Sequence, residues 1–163
     1  MRDRRPDPEM SSVPCRTYRI GVRALVIANA VDADPGFVGQ HLRVRGYSFT
    51  ECHRERTVEW PALEGVDLVL LLGSEWSVYW PEVAGSVRAE AALVQSAHSR
   101  GTPILGICFG AQIVAHALGG SVGRAARPEV GWHSIESERP DDIATGPWMQ
   151  WHFDCIKIGR AHV

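Results

Sequence analysis

No apolar stretch in this sequence approaches the ~20 residues of a membrane-spanning helix, so a membrane partner is not expected. The leading residues Met1 to Pro14 carry Arg, Asp, Pro and Ser but lack the apolar core of a secretory signal. Cysteine is sparse: Cys15, Cys52, Cys108 and Cys155 show no C-x-x-C spacing, so neither a zinc site nor a redox pair is indicated. A reducing cytoplasm is the simplest compartment for such a chain. Charge of one sign is lacking too. Seventeen Lys and Arg against 19 Asp and Glu leave −2, and no basic run follows the first five residues. That argues against a nucleic-acid partner. No internal repeat is present.

What is there is enough for one domain with a real core: 163 residues, 45 % of them hydrophobic. Residues 1–18 read as a disordered tail, with Met10 an alternative start. Val22 to Ala28 reads as a buried strand. Pro35 to Arg45 places Phe37, Val38, His41, Leu42 and Arg45 at helical spacing, ended by Gly46. Tyr47 to His53 and the apolar Val66 to Leu72 read as further strands, with Trp60 to Leu63 a loop between them. Glu82 to Arg100 reads as a long helix. Ser121 to Glu136 reads as two short strands around Pro128. Alternating strands and helices with continuous apolar strands predict a flavodoxin-like α/β domain, a parallel sheet covered on both faces. Ligands of such sheets bind at the carboxyl ends of the strands.

The chain is organised around Gly101 to Gly120, GTPILGICFGAQIVAHALGG. Thr102 to Ile107 reads as a short strand, and Gly106 to Gly110 has the form Gly-x-Cys-x-Gly. This is the cysteine version of a nucleophile elbow, a strained strand-to-helix turn that lifts one side chain above a sheet. The flanking glycines suit a turn with no room for Cβ atoms. Cys108 is then the nucleophile, at a helix start where the dipole and free N–H groups stabilise negative charge. The Phe109 N–H is placed to serve an oxyanion. Gln112, four residues on, shares the thiol's helix face. His116, eight residues on, reads as sharing that face too, but lies ~12 Å along the helix, too far for the thiol, and reads as an interior histidine.

The run GICFGAQIVAHALGG resembles the class I (triad-type) glutamine amidotransferases, most closely stand-alone members related to the amidotransferase domain of GMP synthase. The resemblance extends from about Val22 to Asp154. It implies hydrolysis of glutamine to glutamate and ammonia through a cysteine thioester. It implies no metal or organic cofactor, and an ammonia-accepting synthase domain or subunit as partner. It makes Gly73, at the end of the third strand, the second oxyanion donor, although Gly73-Ser74-Glu75-Trp76-Ser77 departs from the family's Gly-Gly-Pro-x-Ser. It gives Gln112 a contact with the substrate's α-amino and carboxylate end, where a buried Gln bonded to backbone is the bland alternative. Trp76, Tyr79 and Trp80 either wall the pocket or pack on their loop. Glu129 either orients substrate or is a surface strand residue.

Gln150-Trp151-His152-Phe153-Asp154 contains the family's His-x-Asp. The resemblance assigns the backbone of Trp151, His152 and Phe153 to substrate binding, and not His152 and Asp154 to a triad. The family's base and acid come from a later His-Pro-Glu, which this sequence lacks. Ile158 to Val163 back-translate in register into the start of a widely used sequencing adapter, with Lys157 supplying its leading AG. Adapter read-through over 158–163, and an incomplete, inactive amidotransferase domain over 19–157, are therefore expected. A γ-glutamyl hydrolase of the same fold and a degenerate, non-catalytic binding domain are the alternatives.

Overall fold

The computed structural model describes residues 21–57 and 60–158. The expected tail over 1–18 and the adapter-like residues after Ile158 lie outside these. In chain order the elements are β1 (Val22–Ala28), α1 (Gly36–Val44), β2 (Tyr47–His53), β3 (Leu68–Leu71), a 3-10 turn (Pro81–Val83) and α2 (Ala84–Ser99). Then follow β4 (Ile104–Gly106), α3 (Phe109–Ala117), β5 (Ser121–His133) and β6 (Trp148–Lys157).

Strands β2-β1-β3-β4 form one sheet in that order, and every pairing is parallel. The sequence VRALVIA of β1 and LVLL of β3 explains their central places. Only a strand covered on both faces tolerates so continuous an apolar run. On one face Leu25, Ile27, Val69 and Leu71 meet Val87 and Val94 of α2 and Phe109 and Ile113 of α3. On the other, Val26, Ala28, Leu70 and Leu72 meet Val38 and Leu42 of α1. Phe37, expected on the apolar face of α1, points outward and is exposed. The register pairs Ile27 with Leu71 and Leu71 with Gly106, so β1, β3 and β4 end together at one edge.

β5 and β6 form a separate antiparallel sheet. The sequence reading of two short strands around Pro128 is corrected: Ser121–His133 is one strand. Its ladder is interrupted, however, between Arg124, opposite Asp154, and Glu129, opposite His152. Proline has no N–H to give to a ladder, so the irregularity falls where Pro128 sits.

Candidate active site

β4 runs into α3 through Ile107 and Cys108. Ile107 N–H donates to Leu71 O (2.9 Å), which anchors the turn to the end of β3. Cys108 then takes φ 54° and ψ −111° as the N-cap of α3, the one positive-φ non-glycine among the described residues. Such a backbone is unfavourable for a side chain bearing Cβ and persists only where its surroundings hold it. Here Cys108 O accepts from Ala111 N–H (3.0 Å) and Gln112 N–H (3.1 Å). Close approach explains both flanking glycines. A Cβ on Gly106 would lie 2.5 Å from Gly110 O, and one on Gly110 would lie 2.2 Å from Leu71 O. The elbow therefore packs helix backbone directly on strand backbone, and Cys108 emerges exposed at the carboxyl edge of the sheet.

Gly73 comes to the same place from β3. A Cβ built on it would lie 3.3 Å from Cys108 Cβ and 3.9 Å from Sγ. Phe109 is fully buried, and its N–H lies in the first turn of α3, where the helix offers it no carbonyl partner. Cys108 shares a cavity of about 380 Å³ with Ala111, Gln112, His152, Asp154, Cys155 and Ile156. The elbow thus stands between the Gly73 turn on one side and β6 on the other.

The side chains around this cavity already have partners. Gln112 is buried. Its Oε1 accepts from Val78 N–H (3.2 Å) and its Nε2 donates to Asp154 Oδ2 (3.0 Å). Both ends of its amide are engaged within the protein, one by backbone and one by the Asp154 carboxylate. Asp154, 8 % exposed, also accepts from Ser77 Oγ (2.6 Å) and Tyr79 OH (2.7 Å). This carboxylate joins β6, the loop after β3 and α3, and the sequence reading gave it no such part. Its three partners come from two distant segments, so no local pattern announces them.

His152 faces other groups. Its Nε2 lies 3.1 Å from Glu129 Oε2 and 3.0 Å from Gln150 Oε1, and its Nδ1 lies 3.1 Å from Asp154 O. The imidazole contacts Asp154 only through the main chain. Trp151 and Phe153 project from β6 as exposed side chains, and Phe153 falls at the ladder's interruption, without a register partner. Glu129 sits on the strand surface beside His152. Trp76 stands edge-on to Phe109, with centroids 6.1 Å apart, and Tyr79 binds Asp154. Trp76 and Trp80 line a separate hollow beside Pro81. His116 is corrected from interior to exposed. Eight residues at about 100° each turn it roughly 80° away from the Cys108 face.

Beneath the site lies a residue that the sequence reading passed over. Arg54, just after β2, is fully buried, with its Nε 3.1 Å from Oε1 of the equally buried Glu90. Burial pushes Glu90 up to about 7, Arg54 pulls it back, and Glu55 adds to the rise. Burial likewise lowers Arg54, against the charges of Glu90, Glu55 and Cys108. With four further hydrogen bonds on its guanidinium, Arg54 remains the charged member and Glu90 the one that titrates.

Among the described residues no group of three or more His, Cys, Asp or Glu is placed to hold a metal ion, and no helix is long and apolar enough to cross a membrane.

The family model "Glutamine amidotransferase class-I" matches residues 39–150. A 64-residue stretch is 39 % identical to the GMP synthase (glutamine-hydrolyzing) of Gloeothece citriformis, covering 36 % of this chain and 12 % of that protein. The enzyme of the same name from Bartonella quintana is 33 % identical over 106 residues, 62 % of this chain and 19 % of that protein. The chain thus spans less than a fifth of either relative. The crystal structure of a glutamine amidotransferase from Thermotoga maritima matches with a TM-score of 0.71 and 29 % identity, over 85 % of this chain and 64 % of that one. An elbow cysteine at the carboxyl edge of a parallel sheet, inside a family match that spans most of the sequence, places the chain among the class-I glutamine amidotransferases, and it belongs to that family.

Proposed function

We propose that this domain hydrolyses glutamine to glutamate and ammonia, with Cys108 as the nucleophile. The observation that carries the reading is the strained backbone of Cys108 at the start of α3, held by glycines that no larger residue could replace. In this mechanism Sγ attacks the side-chain amide carbon of glutamine, and ammonia leaves with a proton. The resulting γ-glutamyl thioester is then cleaved by water. Negative charge on the amide oxygen would be met by the Phe109 N–H and the backbone N–H at Gly73. The proximity of Gly73 to Cys108 supports this pairing.

Gln112 would act through shape. Its amide is committed to Val78 and Asp154, so it walls the cavity and holds the loop beside it. The backbone of Trp151, His152 and Phe153 would contact substrate, and the interrupted ladder at Phe153 favours this. The ammonia would pass to a synthase domain or subunit, in keeping with the relatives named GMP synthase.

A base must take the thiol proton and return it to the departing ammonia. Among the described histidines, His152 is the one that lines the Cys108 cavity, and its ring is held by Glu129, Gln150 and Asp154 O. The 163-residue chain is therefore expected to release little ammonia, and a longer chain carrying a His-x-Glu segment to release it readily. The test is an ammonia-release assay on both, with Cys108→Ser and His152→Ala made in each. Loss in Cys108→Ser of the longer chain supports the reading. Activity in the short chain that vanishes in His152→Ala makes His152 the base instead. Faster cleavage of γ-glutamyl conjugates than of free glutamine would make the enzyme a γ-glutamyl hydrolase. Inactivity of the longer chain on every substrate would leave a binding domain.

A further inference from the structure

Arg54 makes five polar contacts while fully buried, and their arrangement is specific. Its Nη2 donates to Ile27 O (3.2 Å) and Leu72 O (3.0 Å). Its Nη1 donates to Gly73 O (3.2 Å) and Asn29 Oδ1 (3.0 Å). Its Nε faces Glu90 on α2. The guanidinium carbon lies 4.8 Å from the centre of the Phe109 ring, the first residue of α3. One side chain thus touches the ends of β1 and β3, the turn at Gly73 and the residue after Cys108.

Satisfying leftover strand-end carbonyls explains part of this. It does not explain which carbonyls are chosen. Leu72 O and Gly73 O belong to successive peptide planes whose N–H groups are those of Gly73 and Ser74. In a trans peptide the N–H points opposite to the C=O. Drawing both carbonyls toward Arg54 turns both N–H groups away from it, in the turn that packs on Cys108. The same guanidinium stacks on Phe109, whose N–H adjoins the nucleophile. Arginine's planar fork can hold two carbonyls and present a face at once, which a lysine ammonium cannot do.

We propose that Arg54 is a positioning residue for the oxyanion hole, fixing the Gly73–Ser74 turn and Phe109 relative to Cys108 without touching substrate. This rests on the reading of Cys108 as nucleophile, but not on glutamine being the substrate. Glu90 Oε1 lies 3.1 Å from the Arg54 Nε, and Glu90 is the one carboxyl paired with this buried cation among the described residues.

Acylation by p-nitrophenyl acetate separates the two ideas. Sγ attacks the acetyl carbon, p-nitrophenolate departs without needing a proton, and an acetyl thioester remains. The tetrahedral intermediate carries an oxyanion. Alkylation by iodoacetamide displaces iodide from a saturated carbon and forms none. Arg54→Lys, and Arg54→Met paired with Glu90→Gln so that no lone buried charge is left, are compared with wild type and with Leu42→Ala, a packing change on the opposite face of the sheet. In both Arg54 variants Cys108 acylation should fall about 10- to 100-fold, the size of effect a displaced constellation produces. Alkylation of Cys108 should stay within about twofold, and Leu42→Ala should change neither rate beyond that. If the double variant does not fold, Arg54→Lys carries the same comparison. Unchanged acylation in the Arg54 variants overturns the proposal, and so does an equal fall in acylation and alkylation. Wild-type acylation no faster than in Cys108→Ser removes the nucleophile itself and the proposal with it. Wild type that acylates at Cys108 but releases no ammonia from glutamine removes only the glutaminase reading.

Discussion

β1 and β3 bury nearly every side chain, whereas β5 and β6 expose Trp132, Trp148, Trp151 and Phe153. The parallel sheet has helices on both faces, so area removed from water holds it together. α3 touches both strands of the hairpin, yet much of the hairpin's apolar surface stays open among the described residues. A buried carboxylate ties it to the sheet half, where Asp154 gathers Ser77, Tyr79 and Gln112. The cavity lies at this seam, with Cys108 on the sheet side and His152 on the hairpin side. A site built this way has one rigid wall and one wall hung on a few directional bonds. The second kind of wall is where local opening occurs first.

Breaking the sheet half should cost most. Gly110→Val forces a branched side chain into Leu71 backbone, which cannot yield as a flexible side chain could. The loss should reach or exceed the upper end of the ~1–3 kcal/mol of ordinary overpacking. A urea midpoint close to wild type would show that α3 can slide off β3 and that the elbow is looser than its contacts imply.

The Arg54–Glu90 pair gives the sheet half a pH dependence that the hairpin should not share. Glu90 is raised by burial to about 7 from an ordinary value of 4.5. Between those values the folded chain keeps a proton that the unfolded chain has released. Stability from this group is therefore complete below about pH 4.5 and lost as pH rises through about 7, by on the order of 3 kcal/mol. Comparing urea midpoints near pH 5 and pH 8 should show the decline, and Glu90→Gln should flatten it. A wild-type midpoint that rises across this window would mean that Arg54 keeps the carboxyl ionised throughout.

The two halves also differ in how much of them the sequence discloses. The bounds of β1 follow from an apolar run, and β2 is the stretch that follows the helix-ending Gly46. The elbow follows from two glycines whose necessity is now visible as backbone contact. These signals lie within a few residues of the features they mark. Arg54, Glu90 and Asp154 escape because their partners are brought together only by the fold, across 18 to 77 positions in the chain for the hydrogen bonds concerned. The hairpin was half legible. Pro128 marks the interruption correctly, but nothing local shows that β6 runs opposite it. His116 was misplaced because shared helical spacing was stretched from four residues to eight, over which the angular drift is large.

Asp154→Asn sharpens the comparison from the hairpin side. The amide can accept from one or two of the three donors but lacks the charge that strengthens all three. A loss of about 1.5–3 kcal/mol is expected, confined to the docking of β5 and β6. Amide hydrogen exchange is the measurement. Protection should drop in residues 121–133 and 148–157 and persist in β1 and β3. Equal loss in both halves would show that the hairpin and the sheet unfold as one unit.

The smallest effect should come from the hairpin's outer face. Trp132 is 73 % exposed and stands opposite Met149, while Trp151 stands opposite Val130. Such cross-strand pairs contribute roughly 0.2–1 kcal/mol each, mostly to the hairpin itself. Trp132→Ala should therefore shift the global urea midpoint by no more than about 0.5 kcal/mol, as for other exposed sites. It should also leave Cys108 ahead of Cys52 and Cys155 in labelling by a glutamine-mimicking electrophile. Burial and the neighbouring Glu51 push the Cys52 thiol up, so that sulfur is both hidden and less often a thiolate. Cys155 is exposed and lines the same cavity, but it lies on a strand, without the helix start that Cys108 occupies. If Trp132→Ala instead destabilised the protein as much as Asp154→Asn does, the outer face would be contributing to the hairpin's docking. The seam at Asp154 would then no longer be what sets the two halves apart.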